Sequence, residues 1–384
     1  LNQPRKQIVL LGIGHTNAHV LKQWVEDPIP GCDLIGISPF PTSTYSGMLP
    51  GTLGLQFRDD QWRIDLNSLC QRANAKLMLA QTNGLDLSSG QIHFADHESI
   101  RFDVLSIGVG SMPIRWQQHQ DSPLLVPIKP MQTFLSRLST RLADMDHPHV
   151  AIVGGGVAGI EIAFCLQEQF QKELTNDQPA ITIFTSGQRV ADGMTDRSVR
   201  RIEKLLTARD IHVRAGQRVV EVDEEKLSTE DGQSHQVGCV IWATGAAPPP
   251  VLETLGLQTD ASGFVATTDT LQSLSDSRIF AVGDSGTVLE SPSPKAGVYA
   301  VRQSPILWHN LRAFVQGGNM RTFHPQSDFL KILNTGDGKA LLQYKWLTVH
   351  ARWCWNLKTR IDQGFIDQFN ETDQNSGTDQ TDPA

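Results

Sequence analysis

Two glycine clusters carry the chemistry most plainly legible in this 384-residue sequence. One is Gly12-Ile13-Gly14-His15-Thr16-Asn17, the other Gly154-Gly155-Gly156-Val157-Ala158-Gly159 with Glu161 just beyond, and each follows an apolar run. A turn between a strand and a helix brings unpaired backbone N–H groups and the positive end of the helix dipole to one point, which suits a pyrophosphate. Glycine serves there for the tight turn and for close backbone approach. In the second cluster Gly154 fits the turn, Gly156 the pyrophosphate and Gly159 the packing of helix on strand. The first cluster keeps Gly12 and Gly14 but has Asn17 in the third position, which is expected to push its helix off the strand or force a local adjustment.

Two such turns in one chain imply two dinucleotides held against each other. Each unit should also end its second strand in an acid that binds an adenine ribose. Here Ser38 follows Ile37 in the first unit, and Thr185-Ser186 follow Phe184 in the second, with Arg189 close by. Hydroxyls thus stand where carboxylates are usual, and the choice between NADH and NADPH stays open. Asp284 ends a buried apolar run and is read as a ligand-binding or a capping residue. Glu161 is read either as orienting a nicotinamide or as capping its helix, and Lys129 and Lys295 as solvated surface lysines.

The elements that must position these residues follow from hydrophobic pattern. Ile8-Val9-Leu10-Leu11, the helical pattern through Ala18, Val20, Leu21 and Trp24, and Asp33-Leu34-Ile35-Gly36-Ile37 make one βαβ unit. Val150-Ala151-Ile152-Val153, the helix carrying Ile160 to Leu166, and Ala180-Ile181-Thr182-Ile183-Phe184 make a second. Further strands are expected at Ile92-His93-Phe94, Phe102 to Ile107 and Val237 to Ala243, the last running into Thr244-Gly245. The run Arg278 to Asp284 reads as a strand of the first domain, so the second domain is inserted in it. The expectation is an α/β chain with two Rossmann-like domains and a small C-terminal α+β region. Its parts are residues 1–120 with 250–328, then 121–249, then 329–370, followed by a polar tail, 371–384, expected to be disordered.

A formal charge of −8 and the absence of a basic block argue against nucleic-acid binding. The five cysteines, Cys32, Cys70, Cys165, Cys239 and Cys354, form no close pair, so neither a metal site nor a dithiol is expected. They suit a reducing, cytoplasmic setting. No apolar stretch reaches the roughly 20 residues of a membrane span, and Leu1 to Lys6 lacks an apolar signal core.

The ordered set of glycine turn, GGGxxGxE unit (Gly154 to Glu161), Ala243-Thr244-Gly245 and Ile279 to Asp284 resembles the two-dinucleotide-binding flavoproteins of the pyridine nucleotide-disulfide oxidoreductase superfamily. Thr44 to Gly51, Val126 to Pro130, Ala296 to Gln303, Phe329 to Gly338 and Arg352-Trp353-Cys354-Trp355 resemble the branch related to type II NADH dehydrogenases, which also occurs fused to selenide water dikinases. The resemblance implies FAD on Gly12, Gly14, His15, Thr16, Asn17, Ser38, Gly110, Ser111, Gly283 and Asp284. Ser46, Gly47 and Met48 would run along the flavin ring, and a helix starting near Ala296 would aim its N-terminus at it. NADH or NADPH would sit on Gly154, Gly156, Val157, Ala158, Gly159, Glu161, Thr185, Ala243, Thr244 and Gly245.

Hydride chemistry of this kind is carried by the cofactor, and Lys295 and Cys354 are the candidate side chains for a catalytic part. A small-molecule electron acceptor such as a quinone is expected, since the dithiol of disulfide reductases is missing. The glutamine motif of quinone-reducing relatives is also altered, its two glutamines falling on Val298 and Arg302 when Ala300 is matched. Oxidoreduction of a sulfur or selenium species linked to selenophosphate synthesis, through Cys165 or Cys354, stays as an alternative, as does a non-catalytic flavin or nucleotide sensor. The Trp- and Lys/Arg-rich stretch Lys345 to Arg360 reads as a flap over the flavin site, a homodimer contact, or a surface resting on the inner face of a membrane.

Overall fold

The computed structural model describes residues 4–143, 145, 147–173 and 179–370. The expected disordered tail, 371–384, lies outside the described residues. The apolar strand Lys6–Leu11 is the middle of a five-stranded parallel sheet in the order Ile279–Ala281, Val104–Ile107, Lys6–Leu11, Cys32–Ser38, Lys76–Leu79. Ile8, Val9 and Leu10 are wholly buried, as a parallel strand covered on both faces requires. Leu11 pairs with both Ile37 and Ile107, and Ile107 with Ala281. The strands therefore end level, and Gly12, Ser38, Gly108 and Val282 leave the sheet along one carboxyl edge. Ligands in open α/β sheets bind outside that edge.

A second five-stranded parallel sheet has the order Leu125–Pro127, Cys239–Trp242, His149–Val153, Ala180–Thr185, Ile211–Ala215. Val153 pairs with Phe184 and with Trp242, so Gly154, Thr185 and Ala243 again share an edge. The chain then returns to the first sheet through Ile279–Ala281, so the second sheet is inserted in the first.

Beyond these lies an antiparallel sheet of Lys331–Asn334, Ala340–Tyr344 and Leu347–Ala351, followed by the helix Arg352–Asn370. This region is hydrogen-bonded to the units built on both larger sheets. Gln343 Oε1 accepts from Thr195 N at 2.9 Å on the second, and Asn334 Nδ2 donates to Gln56 Oε1 at 2.6 Å on the first. Its helix lies against the first domain, where Phe365 stacks on Tyr45 with ring centroids 4.5 Å apart.

Candidate functional site

At the carboxyl edge of the first sheet lies a cavity of about 380 Å³. The helix His15–Glu26 opens on it with Gly14 as N-cap, no side-chain cap and no acid in its first turn, so its N–H groups and dipole are free for an anion. Gly12 has φ +80°, and a Cβ there would come within 2.7 Å of the Gly108 and Val109 backbone. Asn17 is taken into this turn by its side-chain amide. Wholly buried, it donates to the Gly12 carbonyl at 2.7 Å and accepts from Ser106 Oγ at 2.7 Å. The room it needs comes from Gly108, where a Cβ would lie 2.7 Å from Asn17 Nδ2.

Opposite, Asp284 accepts from Ser111 Oγ at 2.6 Å, and Lys129 Nζ donates to the same hydroxyl at 2.6 Å while lying 3.5 Å from the carboxylate. Lys129 is thus no solvated surface lysine: it lines the cavity with an anionic partner. Its position just past the strand Leu125–Pro127 is the signal that could have found it. His15 is partly buried in the cavity wall, its enclosed Nε2 has no hydrogen-bond partner, and burial lowers its pKa to about 4, which favours the neutral ring.

Of the other expected residues of this site, Thr16, Ser38, Ser46, Gly110, Ser111 and Gly283 line the cavity. Thr16 Oγ1 is engaged by the Ala300 carbonyl at 2.9 Å, and Ser38 Oγ turns back to Phe40 O at 2.8 Å. Gly47 and Met48 do not reach it. Met48 is core, and Gly47 packs against Tyr45 and Asp362. The helix expected near Ala296 is Gly297–Gln316 with Ala296 as N-cap, and Gly297 faces Ser46 across the cavity wall.

Lys295 is turned elsewhere. Its ammonium donates to Gly286 O at 2.6 Å and Thr287 Oγ1 at 2.8 Å and sits 4.0 Å from the Phe264 ring centroid, with burial lowering its pKa to about 8. Both roles expected of it, solvated lysine and catalytic candidate, give way to a half-buried cation bonded to Gly286 and Thr287. Cys354 is fully buried under the C-terminal hairpin beside Ala340 and Leu342, its thiol 3.8 Å from Val349 O, and burial raises its pKa. It packs rather than reacts. All five cysteines are free and buried, and none lines the cavity. No group of three or more metal-ligating side chains occurs among the described residues.

At the second sheet Gly154 has φ +126°, and a Cβ there would lie 2.2 Å from Ala243 O; at Gly159 it would lie 2.0 Å from Gly154 O. Strand, turn and helix therefore close on one another only through these glycines. Gly156, Val157 and Ala158 stay exposed at the helix start. Thr185 accepts from Gly187 N at 3.3 Å, and Arg189 is paired with Asp196 at 2.5 Å. Thr244 Oγ1 donates to Ile114 O at 2.9 Å, and Gly245 is exposed. Glu161 does not cap its helix. It reaches to the C-terminal sheet, accepting from Asn334 N at 2.7 Å, and burial raises its pKa to about 7.

A model of the family described as pyridine nucleotide-disulphide oxidoreductase matches residues 8–310. The chain belongs to this family. It is accordingly an oxidoreductase of the pyridine nucleotide-linked flavoprotein class. Among curated relatives, the NADH dehydrogenase-like protein YutJ of Bacillus subtilis is 24% identical over 301 residues, 75% of this chain and 79% of the relative. The type II NADH:quinone oxidoreductase of Haemophilus influenzae is 24% identical over 159 residues, 39% of this chain and 36% of that protein. The fold matches NDH2 of Plasmodium falciparum in complex with NADH, at TM-score 0.79 and 14% identity over 97% of this chain and 99% of that one. It also matches the sulfide:quinone oxidoreductase of Aquifex aeolicus, at TM-score 0.77 and 17% identity over 95% and 92% of the two chains. Among the described residues no helix of this family member is long and apolar enough to cross a membrane.

Proposed function

We propose that the chain is an FAD-dependent NAD(P)H:acceptor oxidoreductase whose acceptor is a small molecule such as a quinone. The observation that carries this reading is the cavity at the uncapped N-terminus of His15–Glu26, closed opposite by Asp284. The residues present suit FAD: free helix N–H groups for a pyrophosphate, an unpartnered His15 Nε2 in the wall, and Asp284 with Ser111 for hydroxyls. Gly14 and Gly110 add open backbone, since a Cβ at either would meet nothing closer than 3.5 Å. The exposed Gly156–Ala158 turn suits the pyrophosphate of NADH or NADPH.

When bound, FAD would accept hydride from the nicotinamide and pass electrons to the acceptor. The chain's own part is to bind and orient. Gly297 starts a 20-residue helix whose N-terminal dipole favours negative charge beside Ser46. With every cysteine buried away from the cavity, no thiol relay is available, which favours direct transfer to the acceptor over the sulfur or selenium alternative. The test is anaerobic mixing of the purified protein with NADH and with NADPH, followed by a water-soluble quinone. Bleaching and recovery of a flavin absorbance band are expected; protein that binds no FAD overturns the reading.

A further inference from the structure

The helix Arg352–Asn370 brings a buried ion pair to the loop behind Ser46. Lys358 and Asp362 lie on one face of it, their charged groups 2.9 Å apart and their side chains 10% and 5% exposed. Lys358 Nζ also donates to Gly47 O at 3.0 Å, and a Cβ on Gly47 would lie 3.1 Å from Asp362 Oδ1. Burial, with the Asp362 charge facing it, raises the pKa of Tyr45 beside the pair. Glu161, from the helix Val157–Glu173, faces the pair closely enough for the Lys358 charge to pull its pKa partly back down. A buried ion pair is costly to desolvate, and an apolar pair of similar volume often serves stability as well or better. This pair spends that cost against a loop whose next residue, Ser46, lines the cavity opposite the Gly297 helix start.

We propose that Lys358 and Asp362 set the reduction potential of the bound flavin, Lys358 favouring and Asp362 opposing the negative charge gained on reduction. This rests on the proposed FAD site. Neither residue touches the cavity, so both are positioning residues acting through Gly47 and the local field. Charges so enclosed are poorly screened, which lets them act across one peptide unit.

The test is spectroelectrochemical titration of flavin-loaded wild type, Lys358→Met, Lys358→Arg, Asp362→Asn and the apolar double variant Lys358→Met/Asp362→Leu. Lys358→Met should lower the reduction equilibrium constant about tenfold, about 30 mV for a two-electron couple. Asp362→Asn should raise it by a similar factor, Lys358→Arg should keep the wild-type potential, and the double variant should fall between the two single neutralisations. Unshifted potentials, or shifts of the same sign in both single variants, overturn the proposal. Should Lys358→Met not fold, Asp362→Asn decides alone: an upward shift supports the proposal and no shift overturns it. Wild-type protein without flavin would instead overturn the FAD site itself, a different outcome.

Discussion

At position 17 an asparagine stands where the second motif has Gly159, and Gly108 on the neighbouring strand end provides the room. Its amide joins Gly12 O and Ser106 in a buried network. Asn17→Ala should therefore cost about 1–3 kcal/mol, the usual penalty for orphaning buried polar groups, read as a lower urea midpoint with unchanged slope. Two partly buried titrating groups act in opposite directions. Glu161, with its pKa raised from 4.5 to about 7, contributes stability that is complete below pH 4.5 and is lost as pH rises through 7. His15, lowered from 6.5 to about 4, contributes stability present above pH 6.5 and lost as pH falls through 4. Each is worth up to about 3 kcal/mol. In protein freed of cofactor the two oppose each other between pH 4.5 and 6.5, while His19, His119, His149 and His350, whose pKa values burial also lowers from 6.5, add to the loss of stability as pH falls. Glu161→Gln should steepen the loss of thermal stability from pH 6.5 down to 4 relative to wild type, and an unchanged slope in that variant counts against the Glu161 contribution.

Among elements, the strand–turn–helix at Gly154 depends on contact that only hydrogen allows. Gly159→Ala would place a methyl 2.0 Å from Gly154 O, so the helix must back away from the strand. The overpacking should cost about 1–3 kcal/mol and raise the KM for NADH or NADPH several-fold while leaving flavin content unchanged. Equal loss of flavin would show that the two turns are not independent. The C-terminal hairpin is a contrasting element. Trp346 at its turn is 78% exposed, and Trp346→Ser should change stability by less than about 0.5 kcal/mol in thermal melts. The neighbouring Cys354, by comparison, is buried and enclosed.

For the whole molecule, cofactor binding and stability are linked. FAD at a hundred times its Kd should stabilise the apoprotein by about 2.7 kcal/mol, seen as a rise in Tm with added FAD and none with riboflavin, which lacks the pyrophosphate and adenosine. The sequence by itself determined the two βαβ units, their glycine turns and the return of Ile279–Ala281 to the first sheet, because parallel strands buried on both faces must read as short apolar runs ending in turns. It also marked Asp284 and the helix start at Gly297, which follow a strand end and a turn. Only the tertiary structure decided the fates of charged residues. Lys129 and Lys295 read alike in sequence as solvated groups and Lys358 as part of the Trp- and Lys/Arg-rich stretch, since local pattern carries no record of what packs above a side chain. Lys129 turns to the cavity, Lys295 to Gly286 and Thr287, and Lys358 to the Gly47 carbonyl. Those partners lie between 8 and 311 positions away along the chain, and burial against them, rather than residue type, gave each charge its role.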